Sequence, residues 1–565
     1  MKKFQDIEYK RPDPDQLKSE FTTILEDFVQ AESGEKQLEL IRQMDTLKNN
    51  FLTEYSIAYI RHTVNTKDEF YDREIEFFNE NMPVYEELID RFNQAVLKSD
   101  FKPEITEAFG PHYLNKLEVQ AKTISPEILP DLIEENKLNT EYSKLIASAE
   151  VEFEGEKYTL AQLEPFRQDK DRARRKAATE AYYGFFAQNA AQLDRIYDDL
   201  VKVRTKMAQK LGYENFIELA YYRWSRTDYT AEDVKKYREQ VYQEVVPFVT
   251  NLKERQRARL NLDQLKHYDE VLTFNTGNPI PEGDPDWIID QAKKMYQELS
   301  PETDEFFNFM LDYELMDLLA KPGKEAGGYC TDLPNYKAPF IFANFNGTKG
   351  DVEVMTHEAG HAFQGYQSKD LIPAEYVSPT LEAAEIHSMS MEFITWPWME
   401  LFFGEQTEKF KFSHLSGAIE FIPYGVAVDE FQHWVYTYPE ATPAERKAAW
   451  REIENKYQPH LNFDGNTYLE DGGKWMRQLH IFTVPFYYID YTLAQVCAFQ
   501  FFAKDRQDHR AAWSDYLKLC QAGGSKPFLE LLELANLDNP FAEGSIAKVM
   551  PYLEEYLDSV DDLNM

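Results

Sequence analysis

The chain has 565 residues, of which 43% are hydrophobic and 28% are charged, so it can bury a large interior and cover it with polar side chains. This composition excludes a disordered protein, and the length predicts two lobes with a cleft between them. The 99 acidic residues outnumber the 61 basic ones and give a net charge of −38, which repels polyphosphate and argues against nucleic acid as a partner. We interpret the acidity as a solubilising surface, with steering of cationic ligands as the alternative.

The three cysteines indicate the compartment. Cys330, Cys497 and Cys520 are few, odd in number and widely spaced, which argues against a disulfide framework and fits a reducing environment. No segment approaches the ~18 uncharged apolar residues of a membrane span, and no apolar stretch follows the basic start. We therefore expect a soluble, cytoplasmic protein without a membrane partner, and no obligate protein partner is evident.

The first part of the chain is predicted to be helical. Over residues 15–148 apolar side chains recur at helical spacing, and a second helical run extends over about residues 164–211. Between them, residues 151–160 alternate like two short strands about a Glu-Gly pair. Residues 276–287 are rich in proline and glycine and predict a surface loop.

The best strand candidate is the apolar run FIFANF, bounded by Pro339 and Gly347. It lies immediately before the motif described next. One interpretation is an edge strand that holds an extended peptide by main-chain hydrogen bonds. On that interpretation Phe342, Ala343 and Asn344 bind substrate; the alternative is a plain structural strand.

Residues 357–361 read His-Glu-Ala-Gly-His. On a helix, His357 and His361 are neighbours that can reach one ion, with Glu358 beside it. About 0.02 such matches are expected by chance in a chain of this composition, so a helix with two solvent-facing histidines is the weaker interpretation. Gly360 costs about 1 kcal/mol in a helix and predicts a close approach there. The opposite face carries an apolar stripe, expected to pack inward, of Val352, Met355, Ala359, Ala362 and Tyr366.

Catalytic zinc has three protein ligands and one open position, so a third donor is required. The segment SPTLEAAEIHSMSMEF supplies candidates. Ser378 is predicted to cap a helix and Pro379 to be its first residue. Glu382, Glu385 and Glu392 then recur on one side. Without the histidine motif such a row would be interpreted as a solvated helix face.

HEAGHAFQGY, followed 28 residues after the first histidine by Glu385 in EAAEIHSMSMEF, resembles the thimet oligopeptidase-like zinc metallopeptidases. With PFIFANF upstream and RQLHIFTVPFYYIDY downstream, it is similar to their oligoendopeptidase F, Pz-peptidase-like branch, most clearly over residues 326–502. The resemblance implies a mainly α, two-lobed helical molecule that encloses a deep substrate channel, with a small β-sheet next to the HExxH helix. We expect an N-terminal helical region over residues 1–165 and a catalytic zinc metallopeptidase domain over residues 166–565.

Carried over by motif, the resemblance assigns one Zn²⁺ per chain to His357, His361 and Glu385, and the base to Glu358. It implies hydrolysis of internal bonds in short peptides by a zinc-bound water that Glu358 activates. A zinc aminopeptidase or a protease for large proteins is the first alternative. The second is a helical scaffold or peptide-binding module that has kept the motif, although a binder needs no base.

The resemblance also assigns substrate and oxyanion binding to His480, Tyr488 and Tyr491. IFTVP replaces the glycine-rich spacer of other branches, so Tyr487 is the alternative to Tyr488. Pro485 fits the first turn of a helix whose apolar arc packs inward and whose other arc carries the two tyrosines. Two phenols three residues apart can reach one point in a cleft and donate hydrogen bonds to an oxyanion.

Overall fold

The computed structural model describes residues 1–565, and most of them lie in α-helices. None of these helices is both long enough and apolar enough to cross a membrane. The helices are α1 (Pro14–Gln30), α2 (Gly34–Val64), α3 (Glu69–Leu97), α4 (Lys102–Phe109), α5 (Pro111–Gln120), α6 (Leu129–Ala147), α7 (Glu164–Arg167), α8 (Arg172–Gln188), α9 (Ala190–Lys210), α10 (Phe216–Arg223), α11 (Ala231–Gln240), α12 (Val246–Arg259), α13 (Pro285–Leu299), α14 (Pro301–Asp312), α15 (Gly350–Ser368), α16 (Leu381–Ile394), α17 (Glu400–Phe403), α18 (Thr407–Thr437), α19 (Pro443–Tyr457), α20 (Thr467–Glu470), α21 (Leu479–Thr483), α22 (Tyr488–Gln507), α23 (His509–Ala522), α24 (Phe528–Leu534) and α25 (Ser545–Ser559). The strands are β1 (Val151–Phe153), β2 (Glu156–Tyr158), β3 (Met316–Leu319), β4 (Tyr329–Leu333) and β5 (Ala338–Phe345).

The helical prediction for the first part of the chain is confirmed by α1 to α6. Local caps explain several starts: the side chain of Asp13 accepts from two backbone N–H groups of α1, and that of Asp68 does the same for α3. The two short strands are confirmed too. Glu154 and Gly155 turn between them with φ of 51° and 86°, which suits a glycine in the second position.

Buried apolar side chains form two main clusters. One cluster of 18 residues joins α1 to α5 and includes Tyr376, and a larger one of 106 residues occupies most of the remaining chain. Two cores agree with the expected two-lobed, mainly helical molecule. Helix α6 already contributes Leu138 and Tyr142 to the larger cluster, and the division at residue 165 stays a prediction.

Strand β5 confirms the predicted strand, but its interpretation as an edge strand is wrong. The sheet order is β3-β5-β4, and Phe342 pairs with Tyr329 of β4 on one side and with Asp317 of β3 on the other. Phe342 and Ala343 are buried, and the Asn344 amide donates to two main-chain carbonyls of the same sheet region. The main-chain hydrogen-bonding groups of β5 are thus paired with β3 and β4. The unpaired sheet edge beside the motif helix belongs to β4.

Helix α15 carries the histidine motif and packs between the sheet and α16. Its predicted apolar stripe is buried. A Cβ added at Gly360 would lie 2.6 Å from the carbonyl oxygen of His387 and 2.7 Å from Cα of Ser388, which explains the glycine by close approach of α16. Helix α16 begins two residues later than predicted: Thr380 precedes it with extended φ and ψ of −63° and 157°.

Helix α22 also begins later than predicted. Pro485 does not start it, because the next residue, Phe486, has φ of 66°, which is incompatible with a right-handed helix. The N–H of Phe486 instead donates to the side-chain oxygen of Gln432. The helix starts at Tyr488, with Tyr487 as its cap residue.

Candidate metal centre

Two histidines of α15 and one glutamate of α16 converge on one point. One side-chain donor atom from each of His357, His361 and Glu385 lies within 4.8 Å of the others. Glu385 Oε2 is 3.2 Å from His357 Nε2 and 3.3 Å from His361 Nε2. A tetrahedral zinc ion with bonds of about 2.0–2.1 Å separates its ligand atoms by roughly 3.3–3.4 Å. The donor types and spacings therefore fit zinc.

Glu358 lies beside this centre rather than in it. Its side chain is buried, and Oε2 has no hydrogen-bond partner in the chain. A Cβ at Gly328, just before β4, would approach Glu358 Oε1 to 3.3 Å. Burial raises the pKa of Glu358. A buried carboxylate with a free oxygen is suited to accept a proton from a molecule placed in the centre.

Glu385 is held in orientation from two sides. The hydroxyl of Tyr487 donates to Oε1 at 2.5 Å, and the hydroxyl of Ser388 donates to Oε2 at 2.9 Å. Burial favours the protonated form, but the neighbouring histidines hold the pKa of Glu385 well below its usual range. The carboxylate thus presents one ionised oxygen to the histidine pair.

A chain of hydrogen bonds extends behind His357. Its Nδ1 lies 2.7 Å from Glu392 Oε1, and Glu392 Oε2 lies 2.6 Å from His414 Nε2. The indole N–H of Trp396 donates to His414 Nδ1 at 3.0 Å. Burial opposes ionisation of Glu392, but the hydrogen bonds with both histidines hold its pKa at about 2. The row of three glutamates is therefore not a solvated face; Glu382 is buried and lies outside this chain of bonds.

The aromatic groups predicted downstream also gather here. The ring centroid of His480 lies 5.6, 5.0 and 5.4 Å from those of Tyr487, Tyr488 and Tyr491. His480, Tyr488 and Tyr491 line a cavity of about 420 Å³ together with Glu392. The structure thus places Tyr487, Tyr488 and Tyr491 close to His480. Of these, Tyr487 donates a hydrogen bond to Glu385.

A second set of hydrogen bonds gives Tyr491 a direction. Tyr424 donates to Gln478 Oε1 at 2.9 Å, so the amide nitrogen of Gln478 faces His480 Nδ1 at 2.8 Å. His480 must then carry its proton on Nε2, which lies 3.1 Å from the Tyr491 oxygen. Burial lowers the pKa of His480 to about 4, so it is neutral at pH 7. Tyr491 therefore keeps its own hydrogen for donation, and both His480 nitrogens are occupied within the chain.

Two larger cavities lie near the centre. One of about 550 Å³ is lined by Trp224, whose ring lies 5.8 Å from that of Tyr487. The other, of about 640 Å³, is lined by residues of β4. Lys48 and Tyr55 line both. The two cavities are large enough to hold part of a peptide. That they join into one deep substrate channel stays a prediction.

Comparison with known proteins agrees with this geometry. A model described as the peptidase M3 N-terminal domain matches residues 4–124, and one described as peptidase family M3 matches residues 292–550. A solved structure of Pz peptidase A with an inhibitor is 55% identical, with a TM-score of 0.98 over 99% of this chain and 100% of that one. The chain belongs to peptidase family M3. A Bacillus anthracis str. Ames structure, provisionally named oligoendopeptidase F, is 52% identical to this M3 chain, with a TM-score of 0.94 and full coverage of both.

Among curated relatives, similarity is weaker. An oligoendopeptidase F homolog of Borreliella burgdorferi (strain ATCC 35210 / DSM 4680 / CIP 102532 / B31) is 23% identical over 396 residues, which cover 67% of the M3 chain and 63% of that relative. The M3 chain therefore spans less than two thirds of that relative's length.

Sequence reasoning missed three groups of the M3 site. Tyr487 was considered only as a substitute for Tyr488, yet it bonds to Glu385. His414 and Trp396 carry no recognisable spacing relative to the histidine motif; His414 of α18 joins the site through its bond to Glu392, and Trp396 joins through its bond to His414.

Proposed function

We propose that the chain is a zinc-dependent oligoendopeptidase that hydrolyses internal bonds of short, unstructured peptides. The observation that carries this proposal is the set of three donors, His357, His361 and Glu385, at zinc spacing beside the unpartnered carboxylate oxygen of Glu358. A non-catalytic peptide binder would have no use for that buried base. Membership of family M3 supports the same reaction class.

The proposed mechanism divides the work between the metal and the protein. Zn²⁺ held by the three donors would polarise the substrate carbonyl and acidify water. Glu358 accepts the proton from the attacking water and passes it to the leaving amine. Because burial raises its pKa, Glu358 is a stronger base than an exposed glutamate and holds the proton until the amine departs.

Tyrosine hydroxyls stabilise the negative charge that develops on the carbonyl oxygen. Tyr491 accepts from His480 and so keeps its own hydrogen for donation, and Tyr488 lines the same cavity. We propose these two as the oxyanion donors, with His480 acting on Tyr491. Tyr487 stays the alternative to Tyr488, although its bond to Glu385 favours a role in holding the metal ligand.

Peptide binding is proposed at β4 instead of β5. Strand β4 is at an edge of the sheet, its residues line the larger cavity, and Gly328 before it approaches Glu358. An extended peptide added to β4 would pass the metal centre with its main chain hydrogen-bonded. A short, unstructured peptide can adopt this extended conformation without unfolding, so short peptides are the proposed substrates. A cytoplasmic location remains a proposal that rests on composition.

The contrast between two variants tests this function. Glu358→Gln should keep zinc but lose most turnover, because an amide cannot accept the proton. Glu385→Ala should lose zinc itself. Metal content is measured on purified protein, and cleavage is measured on internally quenched peptides blocked at both ends, which an aminopeptidase cannot cut. Normal turnover by Glu358→Gln, or no zinc in the parent protein, would refute the proposal; efficient digestion of denatured casein would instead indicate a large-protein protease.

A further inference from the structure

The metal ligand His357 is the end of a chain of four side chains from four elements. Trp396 lies in a short 3₁₀ helix after α16, His414 in α18, Glu392 in α16 and His357 in α15. Successive polar atoms are 3.0, 2.6 and 2.7 Å apart. Trp396 is 6% exposed and His414 is 5% exposed, so water does not replace these bonds.

The indole fixes the direction of the first two bonds in this chain, and the carboxylate fixes the direction of the third. An indole N–H can only donate, so His414 Nδ1 accepts and carries no hydrogen. The hydrogen of His414 is therefore on Nε2 and is donated to Glu392. A carboxylate can only accept, so its other oxygen receives the hydrogen of His357 Nδ1. His357 Nε2 is left with its lone pair facing Glu385 and His361.

We propose that Trp396 and His414 are positioning residues that keep His357 in its metal-binding tautomer, acting through Glu392. This inference rests on the proposed zinc site. A histidine can bind zinc through Nε2 only when its hydrogen is on Nδ1, and the partner of that hydrogen fixes the ring orientation. Because a carboxylate can only accept, Glu392 holds a hydrogen on His357 Nδ1 and leaves Nε2 as the nitrogen offered to the metal, and the Trp396–His414 pair holds Glu392 in place.

Packing prevents His414 from escaping this constraint by rotation. Its ring stacks on that of Phe410 with centroids 5.4 Å apart and an interplanar angle of 10°, and Phe393 lies against it at 4.8 Å. A flipped ring would place carbon atoms where Nδ1 and Nε2 now meet Trp396 and Glu392. The two buried polar partners would then be left unsatisfied, which is costly.

The decisive experiment reverses the hydrogen bond between Glu392 and His414. It then tests whether removing the bond from Trp396 to His414 restores zinc affinity. In Glu392→Gln, zinc binding at His357 requires the amide oxygen to face His357, so the amide N–H faces His414 Nε2. His414 would then have to accept at both nitrogens, which a neutral imidazole cannot do. The zinc dissociation constant should rise ~10–100-fold. Adding Trp396→Phe removes the opposing donor, lets His414 carry its hydrogen on Nδ1, and should recover about tenfold of that loss.

Trp396→Phe should therefore have opposite effects in the two backgrounds. In the parent protein it removes the group that fixes His414, and zinc binding weakens by no more than about tenfold. In Glu392→Gln it strengthens zinc binding. A purely structural role of the indole predicts weakening in both. Trp398→Phe is the matched control, because the Trp398 N–H donates to Glu298 at 2.8 Å on the surface and should leave zinc affinity unchanged in both backgrounds.

Zinc affinity is measured on the metal-free proteins by competition with a chromophoric chelator, and thermal unfolding shows that each variant is folded. A second pair keeps the test independent of Glu392: His414→Gln retains a donor near the Nε2 position and should bind zinc much like the parent, whereas His414→Leu should bind ~10-fold more weakly. No zinc binding by the parent protein would refute the proposed function. Two results would overturn only the positioning role of Trp396 and His414, provided that the parent protein binds zinc. One is an equal effect of Trp396→Phe in both backgrounds, and the other is an equal zinc affinity of the two His414 variants.

Discussion

Gly360→Ala should separate the two helices that carry the metal ligands. The new Cβ would lie 2.6 Å from the carbonyl oxygen of His387, and an ordinary contact starts at 3.4 Å, so α16 must retreat by the difference, 0.8 Å. The obstructing atoms are backbone and cannot move aside as a flexible side chain can. Ligand distances in a working metal site hold within about 0.2 Å, so Glu385 would leave bonding range of the histidine pair. Overpacking of this kind also costs about 1–3 kcal/mol of stability.

The expected result is a zinc affinity lowered at least as much as by loss of an orienting partner, ~10–100-fold, together with a lower unfolding temperature. Competition titration and thermal unfolding measure the two effects. Gly184→Ala is the control, because it also replaces a glycine inside a helix but its Cβ meets nothing within 4 Å; it should gain roughly 0.5–1 kcal/mol. Parental zinc affinity in Gly360→Ala would refute the argument that this contact sets the ligand spacing.

Further predictions concern the metal, the tyrosines and acid stability. Chelation should abolish cleavage of quenched peptides and added zinc should restore it; activity indifferent to the chelator would contradict a metal mechanism. Tyr491→Phe should lower kcat about 10²-fold with little change in KM, and comparison of Tyr487→Phe with Tyr488→Phe identifies the second donor. Gln478→Glu should lower kcat in the same way: a carboxylate only accepts, so His480 would carry its hydrogen on Nδ1 and its Nε2 would accept the hydrogen of Tyr491. An unchanged kcat would show that His480 does not control the Tyr491 hydrogen. Burial lowers the pKa of His460 to about 3, so below pH 6.5 the unfolded chain binds a proton that the folded chain refuses, and stability falls as pH drops toward 3. His460→Gln should flatten this loss by up to about 1.4 kcal/mol per pH unit in urea unfolding; an unchanged slope would contradict it.

Local patterns predicted much of the fold because they report which side of an element is buried. The apolar stripe opposite the histidine pair is buried as expected, and the glycine of the motif meets the backbone of α16. The starts of α16 and α22 were misplaced because Ser378 and Pro485 have the right chemistry for a helix start in positions where tertiary contacts keep the chain non-helical. Phe486 shows this: its left-handed φ places its N–H on Gln432 of another helix.

The sequence did not show which distant segments lie next to each other in the fold. FIFANF has the same composition whether it is an edge strand or a central one, so the position of β5 between β3 and β4 could not be read from it. The same holds for the site. His357 and His361 share one helix and could be paired by spacing, whereas His414 reaches Glu392 only through helix packing.

The unpaired edge of β4 has a consequence for which peptide bonds can be cut. Main-chain amides are the same in every residue except proline, so docking on this edge would discriminate poorly among side chains. In an extended chain successive N–H groups point to opposite sides, and only alternate residues would turn theirs toward β4. A proline in those registers would remove a bond, and in the registers between them it would not. Cleavage maps of a peptide digest should therefore show proline depleted with a period of two residues around the cut bond.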